Sequence, residues 1–147
     1  MPILDPNFKE LLKSLNSAGV KFLVVGGYAV NFHGYHRNTA DIDIWIAIDP
    51  QNAQKVSTAL QRFGISATSV PPEDFQQRGR IIRFGRPPWR VDILTDPSGI
   101  DFETCYERRA VGDLDGLAVP FISLEDLKIN KAAVGRTKDR ADLENLP

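Results

Sequence analysis

The stretch DIDIWIAI (Asp41–Ile48) constrains the fold more than any other part of the chain, because two carboxylates stand one residue apart inside an apolar run. Side chains i and i+2 of a strand point to the same face. Asp41 and Asp43 therefore project together, and Ile42, Ile44 and Ile46 turn the opposite way into a core. Two adjacent carboxylates repel each other and are costly wherever water is partly excluded. A hard divalent cation relieves that repulsion and keeps coordination sites for water and phosphate. The bland alternative is a strand whose outer face is simply solvated.

Three other features bear on that choice. Gly26-Gly27 directly follows the β-rich run VKFLVV and precedes a short helical stretch, an arrangement that lets backbone N–H groups approach a phosphate. Asp92 lies inside another apolar strand, WRVDILTD, where a carboxylate is costly without counter-charge. It is either a third ligand carboxylate or a strand carboxylate paired to Arg90. In SLEDLKINKAAVGRTKDRADL the periodic face is Leu124, Leu127 and Val134, and Lys131 falls in the same stripe at helical pitch. That lysine either turns inward to a polyphosphate or snorkels outward.

The remaining segments alternate. DPNFKELLKSLNSAG is a helix with Asp5 as N-cap, Pro6 at its first position and Gly19 at its end. Pro50 starts a second long helix with Ala53, Val56, Leu60 and Phe63 on one face. SVPPEDFQQRG is a turn-rich connector. RIIRFG and WRVDIL, joined through Arg86-Pro87-Pro88, form a hairpin. A short helix over Asp101–Arg108, a hairpin around GDLDGLAVPFI and a helical segment from Ser123 complete a single domain, residues 1–147, of α/β (α+β) class.

Composition narrows the function classes. With 147 residues and 42% hydrophobic content, the chain has material for a real core. A net charge of -1 gives no global pull toward nucleic acid or anionic membrane. No cluster of Lys and Arg interleaved with aromatics is read as an RNA-binding signature. One cysteine, Cys105, fits a reducing compartment and a packed thiol. No run reaches the length of a membrane helix and no secretory signal is visible, so a cytoplasmic protein without membrane contact is expected. His33 and His36 lack a further histidine for a zinc site and read as a helix-end and a loop residue. Trp45 reads as wall or core.

The glycine pair, the spacer, Asp-x-Asp on the next strand and a later strand Asp together resemble the nucleotidyltransferase superfamily of polymerase-beta type. GGYAVNFHGYHRNTADIDIWI, VDIL and the late Lys-Arg-Lys-Asp segment resemble its small prokaryotic branch, which includes AbiEii-type toxins and lincosamide-type enzymes. The resemblance runs from about Val20 to Leu143. It implies a mixed central sheet flanked by helices, with Asp41, Asp43 and Asp92 as catalytic and metal-binding residues. It implies two Mg²⁺ ions, with Mn²⁺ as a substitute, and an NTP held by Gly26, Gly27, Arg37, Thr39, Lys131, Arg136 and Asp139, with Asp142 fitting more loosely. Arg37 reads equally as a solvated loop residue. Many superfamily members carry serine where Gly27 stands, so its phosphate-contacting hydroxyl is missing here.

The implied reaction moves a nucleoside monophosphate from an NTP to an acceptor hydroxyl and releases pyrophosphate, with Lys131 offsetting charge on the leaving group. The acceptor is left open among tRNA, a protein and a small hydroxyl compound. An antitoxin partner or a homodimer, through apolar surface near Phe121 or Trp89, would complete the cleft. The alternative is a catalytically weak nucleotide- or partner-binding module with the same fold.

Overall fold

Helix α1 (Pro6–Ser17) forms because Phe8, Leu11, Leu12 and Leu15 recur at helical spacing, and all four are buried. The computed structural model describes residues 6–86, 89–97 and 99–147, with the backbone alone at Pro6, Arg86 and Trp89. The expected cap Asp5, the loop residues Pro87 and Pro88, and the Trp89 side chain lie outside the described residues. Gly19, with φ +73°, ends the helix and turns the chain into β1 (Phe22–Val25), a wholly buried strand.

Helix α2 (Gly26–Phe32) follows without a linker and stops at His33, whose ring Nε2 lies 2.6 Å from the Ile122 carbonyl oxygen. Strand β2 (Asp41–Ile46) leads to α3 (Pro50–Phe63). There the Asp49 carboxylate accepts from the Asn52 N–H at 2.9 Å, Pro50 takes the first position, and Gly64 closes at φ +117°. The connector makes two short 3-10 turns, Ala67–Ser69 and Pro72–Gln76, and plugs the core with Phe75.

Strands β3 (Ile81–Arg86) and β4 (Trp89–Leu94) form the expected hairpin, and α4 (Phe102–Glu107) is capped by the Asp101 carboxylate. β5 (Ala110–Leu114) and β6 (Leu117–Phe121) form a second hairpin, turned by Asp115 and Gly116 at φ 54° and 84°. α5 (Leu124–Val134) and α6 (Thr137–Asn145) close the chain. The single helical segment expected after Ser123 is therefore two helices. Gly135 adopts φ +69° and breaks the run, and Arg136 becomes the N-cap of α6.

The six strands make one mixed sheet in the order β3-β4-β2-β1-β6-β5. β2/β4 and β1/β6 pair in parallel, and the other neighbours are antiparallel. This is the expected helix-flanked mixed sheet. Directly paired residues share a face, so Ile42, Ile44, Val91, Ile93, Phe22 and Val24 form one apolar surface, buried in a cluster with residues of α1 and α3. Phe121 also belongs to the core, stacked 4.1 Å from Phe32 and 1% exposed. It offers no surface for the expected dimer contact. Val134, assigned to the packed stripe of the last segment, is exposed because the helix ends there.

Candidate active site

Strand register builds the site. Val25 on β1 pairs with Asp43 on β2, and Asp43 pairs with Asp92 on β4, which pairs with Arg83 on β3. One level of the sheet therefore reads Arg83, Asp92, Asp43, Val25, running from the edge strand inward. The next level is Gly85, Arg90, Asp41, and the level on the other side is Ile81, Leu94, Trp45, Leu23. Trp45 is buried edge-to-face on Phe102 at 5.2 Å, which makes it core as expected. The three aspartates thus lie side by side on the face opposite the isoleucines. They open into a cleft of about 550 Å³.

The glycines are needed for closeness. Gly26 follows Val25 at φ +64°, and a Cβ there would lie 2.0 Å from Asp43 Oδ2. A Cβ on Gly27 would lie 2.5 Å from Thr39 Oγ1 and 3.4 Å from an Arg37 guanidinium nitrogen. Any side chain at either position would displace the carboxylate or the loop that follows α2. Thr39 itself donates to the Asp41 carbonyl oxygen at 3.2 Å.

Burial pushes the Asp43 carboxyl up from 3.8 to about 6, reinforced by the negative charges of Asp92 and Asp41 and opposed by Lys138 and Lys131. Arg90 holds Asp41 at 2.9 Å. Asp92 is partnered by Arg83 rather than Arg90. Arg83 Nε lies 3.3 Å from Asp92 Oδ1, close enough for attraction but without hydrogen-bond alignment, so this buried oxygen has no hydrogen-bond donor. Among the described residues no three acidic, histidine or cysteine groups stand in metal-ligating geometry. Two of the three aspartates are turned to arginines.

The helical wall of the cleft is an ionic network. Lys131 is 4% exposed, so it does not snorkel. Its ammonium sits 3.2 Å from Asp139 and 2.9 Å from Asp142. Arg37 grips Asp142 with two bonds of 2.8 and 3.0 Å, and Arg136 grips Asp139 from the α6 N-cap at 2.8 Å. The Arg37 N–H also donates to the Asn31 side chain at 2.8 Å, which fixes the loop. Burial pushes the Asp139 and Asp142 carboxyls up, and the cations around each one more than reverse this, so both end below the ordinary value.

All seven residues assigned to nucleotide binding in the sequence line this one cleft, with the three aspartates. Asp142 stands behind them as the shared partner of Arg37 and Lys131. His33, His36 and Cys105 stay outside it. Lys138, Arg80 and Arg83, to which the sequence assigned no site role, and Arg90, expected only as a partner of Asp92, also line the cleft. Lys138 sits beside Asp139 in RTKDRAD and was within reach of a motif argument. The arginines were not, because their placement depends on hairpin register.

Comparisons with known proteins agree with this fold. The structure resembles that of a Thermotoga maritima protein assigned as a nucleotidyltransferase, with TM-score 0.61 and 17% identity, covering 93% of this chain and 88% of that one. It resembles the lincomycin-bound lincosamide antibiotic adenylyltransferase LnuA, with TM-score 0.63 and 17% identity, over 99% of this chain and 97% of that one. An antigenic nucleotidyltransferase-like protein from Paracoccidioides brasiliensis matches with TM-score 0.55 and 19% identity, over 99% and 76%. At these identities the likeness is one of fold. No curated protein matches the sequence. A family model described as a nucleotidyltransferase of unknown function, DUF6036, matches residues 3–146, so the chain belongs to that nucleotidyltransferase family.

Proposed function

We propose that the protein transfers a nucleoside monophosphate from an NTP to an acceptor hydroxyl, in a reaction that depends on Mg²⁺. The observation that carries this reading is the register of Val25, Asp43 and Asp92, which sets two carboxylates beside the Gly26-Gly27 turn, with Asp41 two residues along on the same face. The donor set fits a hard cation, because burial raises the Asp43 carboxyl and the buried Asp92 Oδ1 accepts no hydrogen bond, and both call for positive charge. Asp41, Asp43 and Asp92 would hold Mg²⁺, or Mn²⁺ in its place, which when bound neutralises the triphosphate and acidifies the acceptor hydroxyl.

The chain's own residues account for the other requirements. The backbone at Gly26-Gly27, together with Arg37, Thr39, Arg136 and Lys138, would receive the triphosphate. Lys131 is already shared between two buried carboxylates, so its contribution is to hold Asp139 and Arg136 in position as well as to add charge. The acceptor oxygen bonds to the α-phosphorus as the bond from that phosphorus to the bridging oxygen breaks. Pyrophosphate leaves with that oxygen's electron pair. In this reading Asp92 takes the acceptor's proton.

The part of toxin in a toxin–antitoxin pair belongs to this proposal and rests on the sequence resemblance alone, and a cytoplasmic location belongs to it on the single cysteine, which fits a reducing compartment. No helix among the described residues is long and apolar enough to cross a membrane. The test is pyrophosphate release from each NTP with cell lysate as the acceptor source, with and without chelator. Asp41→Asn, Asp43→Asn and Asp92→Asn should each abolish metal-dependent release. Release that continues unchanged in all three variants would end the proposal.

A further inference from the structure

The β3–β4 hairpin and the turn before it carry more positive charge than the ion pairs at Asp41 and Asp92 take up. Arg78, Arg80, Arg83, Arg86 and Arg90 fall within RGRIIRFGRPPWR, a segment without Asp or Glu and with Phe84 and Trp89 among the arginines. The expectation of no RNA-binding signature counts no such basic cluster, and of its aromatics Phe84 turns to the core face with Val91 rather than to the arginines. The chain's overall balance of 18 basic against 19 acidic residues conceals the cluster.

The structure puts Arg83 and Arg90 of this segment on one side of the carboxylates. At the level of the site the order is Arg83, Asp92, Asp43, then the strand that leads into Gly26. Arg80, Arg83 and Arg90 line the same cleft as the aspartates. Arg78 and Arg83 are 78% and 58% exposed, and Arg78 meets Asp96 only at 3.9 Å. Arg80 is exposed and bonds the neutral side chain of Gln77. Beside them Ile81 lies 55% exposed on the open edge strand, at the level of Leu94.

We infer that this hairpin seats the acceptor, and that the acceptor is the 3′ end of a single nucleic-acid strand. The inference rests on the transferase reading above. Attacking and leaving oxygens stand roughly in line in phosphoryl-group chemistry. With the triphosphate at Gly26-Gly27 and the helical wall, the acceptor hydroxyl enters from the Asp92 side, where the arginines are. From Arg80 to Gly85, the partner of Arg90, is five residues, about 17 Å at roughly 3.3 Å per residue. That span serves successive phosphates of a strand and exceeds the reach of one phosphate group. A neutral small acceptor has no use for it. The exposed Ile81 offers an apolar surface to a base, and the arginines meet the backbone.

The experiment is fluorescence anisotropy of a short labelled single-stranded RNA with a free 3′-hydroxyl, titrated in chelator at several salt concentrations. Arg78→Ala/Arg80→Ala removes two exposed charges and leaves the Asp41 and Asp92 pairs intact. It should weaken binding about tenfold and lower the salt slope by about 1.4, two charges at roughly 0.7 each. Lys13→Ala/Lys55→Ala, which removes two exposed charges elsewhere, should bind like the wild type. Equal affinities for the arginine variant and the wild type, equal weakening in both variants, or no binding by the wild type would each overturn the inference. So would displacement of the RNA by ribose 5-phosphate as effectively as by unlabelled RNA. Thermal stabilisation by Mg²⁺-NTP in the same preparations reports on the transferase reading separately. Its absence from the wild type would refute that reading whatever the RNA result.

Discussion

Replacing Gly26 by alanine tests whether the glycine serves the carboxylate beside it. Gly26 and Gly19 have nearly the same backbone, φ +64° and +73°, but a Cβ on Gly19 meets nothing within 4 Å. Gly19→Ala therefore measures left-handed strain alone, about 1–2 kcal/mol. Gly26→Ala adds a collision, with its Cβ 2.0 Å from Asp43 Oδ2, 2.9 Å from Cγ and 3.1 Å from Cβ. Rotating the Asp43 side chain relieves only the first two contacts, so the strands must also shift. Such overpacking costs about 1–3 kcal/mol. The total at Gly26 is then roughly 2–5 kcal/mol. Denaturant unfolding of both single variants, of Asp43→Ala and of Gly26→Ala/Asp43→Ala closes a double-mutant cycle. The cost of Gly26→Ala should fall toward the Gly19→Ala value once the Asp43 carboxylate is gone. The single variant should also lose its stabilisation by Mg²⁺-NTP. A coupling energy within about 0.5 kcal/mol of zero would refute the steric account of this glycine.

Asp43 has a folded-state pKa raised to about 6, so its favourable contribution is full below the unfolded value and is lost as pH rises through 6. In chelator, Asp43→Asn should melt above the wild type at about pH 8, by up to about 3 kcal/mol for a shift of roughly 2 units, and the gap should close toward pH 4. A gap independent of pH would contradict this. Lys131→Ala leaves two buried carboxylates without their shared cation and should cost about 3–5 kcal/mol in denaturant unfolding. Lys128→Ala removes a surface bond to the Pro147 carbonyl and should stay within about 0.5 kcal/mol; equal costs would refute the network. Asp139 and Asp142 have lowered pKa values, so their contribution is present above the unfolded value and is lost as pH falls through the folded one. Asp139→Asn/Asp142→Asn should flatten the acid limb of the stability curve, and an unchanged limb would be inconsistent with that linkage. Arg90→Gln frees Asp41 from a competing cation at 2.9 Å and should enlarge the melting shift caused by Mg²⁺ alone; a smaller shift would mean that Arg90 helps to build the site.

Much of this molecule was written in short stretches of sequence. Phe8, Leu11, Leu12 and Leu15 specify α1 by spacing, Asp49-Pro50 and Gly64 bound α3, and Asp115-Gly116 turns a hairpin, because each depends on backbone chemistry within a few residues. The shared face of Asp41 and Asp43 likewise follows from the two-residue period of a strand, and the glycine pair from its place after β1. What only the tertiary structure decided is which charge meets which. Arg83 rather than Arg90 stands at Asp92, Arg90 stands at Asp41, and Lys131 is enclosed by Asp139 and Asp142 after a break at Gly135 that periodicity alone did not reveal. The partners in these pairs come mostly from different elements, and Coulomb energy depends on distance and burial rather than on position along the chain. A strand's period says which way a carboxylate faces. The register of its neighbour, set by the packing of the whole sheet, decides what it faces.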